Sequence, residues 1–401
     1  MSDTTWDSDT GTWDDPTATW DIGTSVPPED PPPTSSAHLA RQLPEAPPLG
    51  AYRYLVGPLY GGVAEELAFS RATYGYIRNR PGGFSGTVPR PDPKLKRDIL
   101  DPPFSLYVER DGVILWGGII WTVEPRLEEV AFGGEGFWSH FRKMRHRGID
   151  DPEATSRKLK RYNDDDYFFI VRDLVDWVQA EPDNNIGVIV DSHNADRVRD
   201  EVFRPHEWRN IGEAIEQMAD DNPGFDFSLD VGWEGDALVK RLRLYSSRGT
   251  TTDIVFEQGK NCTLRSRTID AKNRIRGVMS TGKGSGPGIL RQFHQDETLA
   301  GTFPLYRDVI SDPDVENLTT LDNRAIKTVT RNLLSMETIS LEVTPQADLP
   351  LGAWRVGDYV RVRAEDEWED VDDVYRITAW QVDVDESGQE TVTMDFGPIQ
   401  S

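Results

Sequence analysis

Three stretches carry residues at spacings that could do chemistry. Gly277 to Gly284, GVMSTGKG, approaches the pattern G-x-x-x-x-G-K-[ST], in which loop N–H groups cradle a phosphate and a helix starts at the lysine. Gly284 stands where the magnesium-holding hydroxyl is needed, and the GSGPG around it starts no helix, so the stretch reads as a Gly-rich loop after a strand. Asp383, Asp385, Ser387 and Gly388 imitate an EF-hand loop, but Met394 falls where a bidentate acid is required. The same stretch alternates like a hairpin with Ser387-Gly388 at its tip. Asp164, Asp165 and Asp166 could gather a cation; at the start of a helix they serve as cap and dipole partners. His38, His140, His146, His193, His206 and His294 form no metal-ligand spacing, and G-x-S-x-G is absent. The 69 acidic residues would hide any glycosidase-type carboxylate pair. No catalytic, cofactor-binding or metal-ligating residue is assigned, and no enzyme is expected.

The bulk properties exclude other classes. A formal net charge of -25 argues against specific nucleic-acid binding, which needs clustered Lys and Arg. Cys262 is the only cysteine, so no intrachain disulfide and no Cys-based zinc site can form. No apolar run approaches the roughly 20 residues of a membrane span, and the start has neither the basic nor the apolar region of a signal peptide.

The elements that must position any site fall into four segments. Residues 1–50 form an extended arm rich in Pro, Asp and Trp. Residues 51–140 read as strands, the clearest being FSLYVERDGVILWGGIIWTV, with Leu106 and Val108 alternating and Asp111-Gly112 as a hairpin turn. Residues 141–245 read as an α+β insert. A helix starts near Asp165 with Phe168, Val171, Leu174, Val175 and Val178 on one face. A second helix carries Ile211, Ala214, Ile215, Met218 and Ala219, and Asn222-Pro223-Gly224 ends it. A strand pair follows, with Phe225, Phe227 and Leu229 alternating. Residues 246–401 return to strands, interrupted near 312–338 by a helix from about Leu321 to Met336. An internal echo links the two strand regions. Ile120-Trp121-Thr122-Val123, Glu129-Val130 and Phe132-Gly133 match Ile377, Trp380-Gln381-Val382, Glu390-Thr391-Val392 and Phe396-Gly397 in order. The fold class expected is mainly β, with two related β-barrels, an α+β insert and an extended arm.

The arm repeats Thr-Trp-Asp, with Trp6, Trp13 and Trp20 evenly spaced. Up to Ala40 it holds no Lys or Arg. Gly11, Pro16 and Gly23 oppose a helix, and an odd spacing would put successive tryptophans on opposite faces of a strand. The three tryptophans read as partner-contact pegs on an arm that orders on binding.

Several stretches resemble one family, the minor tail or baseplate hub proteins of long-tailed bacteriophages, especially the siphophages of actinobacteria. RNRPGGFSGTVPRPDP (Arg78 to Pro93), LYVERDGVILWGGII, DAKNRIRGVMSTGKG and RVGDYVRVR with VYRITAWQVDVDESGQETVTMDFG carry the likeness, in order, over about residues 50–400. The resemblance implies two hub-type barrels in a homotrimer at the tail tip. Such a trimer adapts the six-fold tail tube and distal tail protein ring to three-fold fibres or a spike, and forms part of the DNA ejection channel. Implied partners are the distal ring, the tape measure protein C-terminus, and tail fibre or other minor tail proteins. The implied location is the virion, with no membrane insertion by this chain. The family's fibre and peptidoglycan-cutting domains are not expected after Ser401. Two alternatives stay open: a virion-associated cell-wall hydrolase, sought in residues 141–245, and a carbohydrate-binding tail-tip protein using exposed tryptophans.

Overall fold

The computed structural model describes residues 52–397 except 91, 96–100, 146–159, 205–206, 221–223, 312–314, 334, 344–350 and 366–369. The arm lies outside these residues. The first strands are β1 (Tyr52–Gly57), β2 (Glu65–Leu67), β3 (Arg71–Ile77), β4 (Gly83–Pro89), β5 (Phe104–Arg110), β6 (Val113–Pro125) and β7 (Glu129–Gly136). An α+β region follows: α1 (Trp138–Phe141), β8 (Lys160–Asp166), α2 (Tyr167–Gln179), β9 (Val188–Val190), β10 (Val198–Phe203), α3 (Ile211–Asp220), β11 (Asp226–Glu234) and β12 (Ala237–Tyr245). Then come β13 (Thr251–Glu257), β14 (Cys262–Asp270), β15 (Gly277–Thr281), β16 (Arg291–Gln295), β17 (Arg307–Ser311) and α4 (Leu318–Asn332). The chain closes with β18 (Met336–Val343), β19 (Tyr359–Glu365), β20 (Asp370–Val384) and β21 (Glu390–Gly397).

Thirteen strands join in one sheet, and it repeats itself. The first half runs β1-β5-β6-β7-β4-β3 and the second β13-β19-β20-β21-β18-β14. Ranked by position in the chain, both paths read 1-4-5-6-3-2. They differ in that β1 runs antiparallel to β5 and β13 parallel to β19, and that β2 adds to the first path. The halves are stitched together where β3 pairs antiparallel with Ala379–Val384 of β20. One apolar core runs through both, from Trp116 and Phe132 to Val382 and Phe396.

The ladders also correct the register of the echo. Each long hairpin has one irregularity, between Ile120 and Thr122 in β6 and between Ile377 and Ala379 in β20. With Ile120 set on Ile377, Trp121 falls on Thr378, Val123 on Trp380 and Phe132 on Met394. Trp121 and Trp380 are therefore not equivalent. A bulge shifts side chains relative to a plain letter count.

The β5–β6 turn forms as expected, with Asp111 and Gly112 both at positive φ, 52° and 81°. The simple alternation does not hold. Every residue from Phe104 to Glu109 is buried, because Leu106 and Val108 face the main core while Tyr107 faces a second one. The same applies to β11, where Asp226 to Leu229 are all buried. This second core unites α2, α3, β11 and β12 with Leu55, Tyr107, Ile114 and Ile119 of the first half. Helix α2 begins at Tyr167, capped by Asp166, whose carboxylate accepts from the Phe168 and Phe169 amides at 2.9 and 3.3 Å. Its expected apolar face is buried, and so is that of α3. Of the residues expected to end α3, Asn222 and Pro223 lie outside the described set. Residues 271–335 form a small unit between β14 and β18, with β16-β15-β17 covered by α4. Met336 belongs to β18 rather than to the helix.

Lys240 is buried in the second core. Its Nζ donates to the Ile186 carbonyl at 2.9 Å and lies 4.6 Å from the Phe137 ring centroid. No carboxylate among the described residues pairs with it, and burial pulls its pKa down to about 8. Below that pH the ammonium is charged in both states, and its burial opposes folding. Between about 8 and 10.5 only the unfolded chain holds the proton, so stability rises with pH. Lys240→Met should stabilise the fold at pH 7 by ~1–3 kcal/mol and abolish that rise. Urea denaturation at pH 7 and pH 10 measures both effects.

Candidate functional site

The motifs that suggested chemistry resolve into structural roles. Lys283 pairs with Glu316, and the Gly-rich stretch leads into a short 3-10 turn at Gly286–Gly288 rather than an α-helix. Asp385 closes the β20–β21 turn, its Oδ1 accepting from the Ser387 and Gln389 amides at 2.8 and 2.9 Å. Asp164 and Asp165 lie in β8, and Asp166 is engaged as a helix cap. His140 is buried, its Nε2–H donating to the Asn184 carbonyl at 2.9 Å; burial holds its pKa below the ordinary value. His193 packs edge-on against Phe168, while His294 sits far along the chain in β16. His38, His146 and His206 lie outside the described residues. Cys262 is buried at the start of β14, where burial and Glu257 push its thiol up to about 11. The described residues hold no group of three His, Cys, Asp or Glu placed to share a metal ion. Among them, no helix is long and apolar enough to cross a membrane. Trp6, Trp13 and Trp20 also lie outside the described residues, so the structure does not place the pegs.

What the fold does concentrate is a buried junction where four segments meet. Asp226, at the start of β11, is 2% exposed. Its Oδ1 accepts from Arg78 Nε at 2.6 Å and from Asn79 Nδ2 at 3.3 Å. Its Oδ2 accepts from the Arg248 amide at 2.7 Å and from Arg376. These partners come from the β3–β4 turn, the segment after β12, and β20. Burial, the largest single influence, would raise the Asp226 pKa. Arg78, Arg376 and the Arg248 amide together outweigh it and hold the carboxyl below its ordinary value. Arg376 also donates to the carbonyls of Gly357 and Arg248, at 3.1 and 2.7 Å. The backbones cross closely here, since a Cβ on Gly249 would lie 2.1 Å from the Gly357 carbonyl oxygen.

The β3–β4 turn, Arg78-Asn79-Arg80, plugs the first half into the α+β region. Asn79, at φ 54°, accepts from the Phe227 amide at 2.9 Å and donates to the Phe225 carbonyl at 3.2 Å. Its side-chain amide thus acts as a further strand partner for β11. Arg80 reaches Asp220 at 2.7 Å and Glu216 at 3.4 Å. Glu216 is buried, accepts from Trp138 Nε1 at 2.9 Å, and has its pKa raised by that burial. Sequence reasoning singled out RNRPGG as a motif but gave it no role. Its signal was two arginines flanking an asparagine at a strand end.

The second feature that could meet a partner is a set of open strand edges. No described strand lies along the outer edge of β14, nor along β6 beyond Ile120 on the side that β5 occupies. Ile269 of β14 is 62% exposed, and Leu127 at the β6–β7 tip is 90% exposed.

No family model matches the chain, and no curated protein matches it. Solved structures do. A tail protein from Neisseria meningitidis MC58 is similar over 87% of this chain and 97% of its own, at 17% identity and TM-score 0.57. The 43 kDa tail protein of prophage MuSo2 from Shewanella oneidensis covers 86% and 98%, at 12% identity and TM-score 0.56. The prophage tail protein gp18 from Listeria monocytogenes EGD-e covers 86% and 94%, at 12% identity and TM-score 0.52. The chain thus has the fold of phage tail proteins: mainly β, with a large antiparallel sheet and an α+β region.

Asp226→Ala should strand Arg376 and Arg78 without their counter-charge and cost about 3–5 kcal/mol in urea denaturation at pH 7. Asp372→Ala breaks ion pairs with Arg361 and Arg363 that are nearly half exposed on both sides, and should leave the urea midpoint close to that of the unaltered chain.

Proposed function

We propose that this chain is a structural hub of a phage tail tip. It acts as a homotrimer that joins the six-fold tail tube and its distal ring to three-fold fibres or a spike, and lines part of the DNA ejection channel. The observation that carries this reading is the repeated strand order. Three copies of a chain with two like halves present six like faces to a six-fold ring and three-fold symmetry to what lies beyond. The fold shared with phage tail proteins supports a place in the virion. The halves correspond to two barrels, at about 51–140 and 246–401, with 141–245 as the α+β insert and 1–50 as the arm.

The role is assembly, not catalysis. Two of the buried acids, Asp226 and Glu216, are engaged by arginines and Trp138. The carbohydrate-binding alternative would have to use Trp208, 45% exposed, or Trp233, 37% exposed and donating to Glu109 at 3.0 Å, because Trp116, Trp138 and Trp354 are buried. Partners of this hub are the distal ring, the tape measure protein C-terminus, and tail fibre or other minor tail proteins. Trp6, Trp13 and Trp20 are the contacts offered to a neighbouring chain. The net charge of -25 suits a channel that lets DNA pass without adsorbing it.

Light scattering on the purified chain should give three times the monomer mass; monomers alone, or six copies, would refute the trimer. Deleting residues 1–40 should leave that mass unchanged but weaken incorporation into tails. Normal yields of infectious particles from the arm-less chain would count against the pegs.

A further inference from the structure

The two halves are joined once inside the chain, and the repeat supplies a second, unused copy of the same joint. Within the chain, β20 outruns β19. It pairs with β19 up to Arg376 and with β21 up to Val384, and β3 fills the edge left open from Ala379 to Val384. In the first half, β6 outruns β5 in the same way. It pairs with β5 only to Ile120 but with β7 to Pro125. The edge from Trp121 to Pro125 has no strand on it among the described residues. The equivalent of β3 in the second half is β14, whose outer edge is also open. So the donor strand and the vacant slot of a second joint both exist, one in each half.

The ladders fix how they would meet. Through β4 and β18, Tyr74 corresponds to Arg267, Gly75 to Thr268, Tyr76 to Ile269 and Ile77 to Asp270. Through the matched irregularities, Ala379 corresponds to Thr122, Trp380 to Val123 and Gln381 to Glu124. The internal joint sets Ala379 opposite Ile77, Trp380 opposite Tyr76 and Gln381 opposite Gly75. Resting on the self-association read above, we propose that β14 of one copy pairs antiparallel with β6 of the next. Thr122 then stands opposite Asp270, Val123 opposite Ile269 and Glu124 opposite Thr268. Three such joints, alternating with the three internal ones, make a closed ring of six like halves.

Thr268 takes the place of Gly75, where a Cβ would lie 2.4 Å from the Trp380 carbonyl oxygen, so the second joint must sit slightly wider at that pair than the internal one. The exposed Ile269 gains an apolar neighbour in Val123, which is itself half-buried against the main core. No like charges come face to face in the three pairs. The Arg126 amide donates to the Glu129 carbonyl, so backbone alternation turns the polar groups of Val123 and Pro125 to the open edge. Pro125 has no N–H to give, and the ladder ends there. At the other end Gln258 Oε1 accepts from the Leu264 amide at 2.8 Å, so the free stretch of β14 starts after Leu264.

Paired cysteines in the full-length chain test this. Cys262 is buried with a raised pKa and adds little background oxidation at pH 8. Glu124→Cys with Thr268→Cys should give disulfide-linked dimers and trimers under mild oxidation. Glu124→Cys with Ile269→Cys, one residue out of register, should give none, because the side chains point to opposite faces. Light scattering on the same samples separates the two ideas. A trimer without the in-register disulfide overturns the ladder and leaves the trimer standing. A monomer at all concentrations overturns both.

Discussion

The buried carboxylate of Asp226 is the constraint on which the arrangement depends. A charge removed from water must be matched nearby, and here the match is supplied by chain segments far apart in sequence. Arg78 brings the end of β3, Arg376 brings β20, and the Arg248 amide brings the link between the α+β region and the second half. These are the segments whose alignment lets β3 pair with β20. The apolar pattern decides which face of each strand is buried, and a carboxylate with named donors adds a fixed orientation to it. The closely crossing backbones at Gly249 and Gly357 leave no room for a side chain at either position.

Around this point the molecule uses one plan twice. Each half threads the strand order 1-4-5-6-3-2, and each lets its fifth strand outrun its fourth. What differs is the connection between the third-in-chain and second-in-chain strands. The first half closes it with the tight Arg78-Asn79-Arg80 turn, which docks into the α+β region. The second half opens it to hold residues 271–335, with their own small core of Ile275, Val278, Ala325 and Val329. The same position in the plan serves internal attachment in one half and carries a small added unit in the other.

The α+β region shows why β5 and β11 do not alternate. A strand buried on one face reads apolar-polar, but both of these are sandwiched. Glu109 survives between the two layers because Arg53 and Trp233 satisfy its oxygens at 2.9 and 3.0 Å. Lys240 is the less comfortable inclusion, held by one carbonyl and a ring face.

The sequence by itself determined the local pieces. Asp111-Gly112 dictates a tight turn, the apolar faces of α2 and α3 dictate which side is buried, and Asp166 dictates where α2 begins. It also disclosed the class of fold, through motifs in order and an echo between distant hairpins. All of these depend on neighbours in sequence or on pattern. The tertiary structure alone decided the register of the echo, because one bulged residue in each hairpin is invisible to letter spacing. It alone decided the second core, because burial from the far side leaves no periodic trace in β5. It alone assembled the Asp226 junction, since among 69 acids nothing local distinguishes the one that three distant segments will surround.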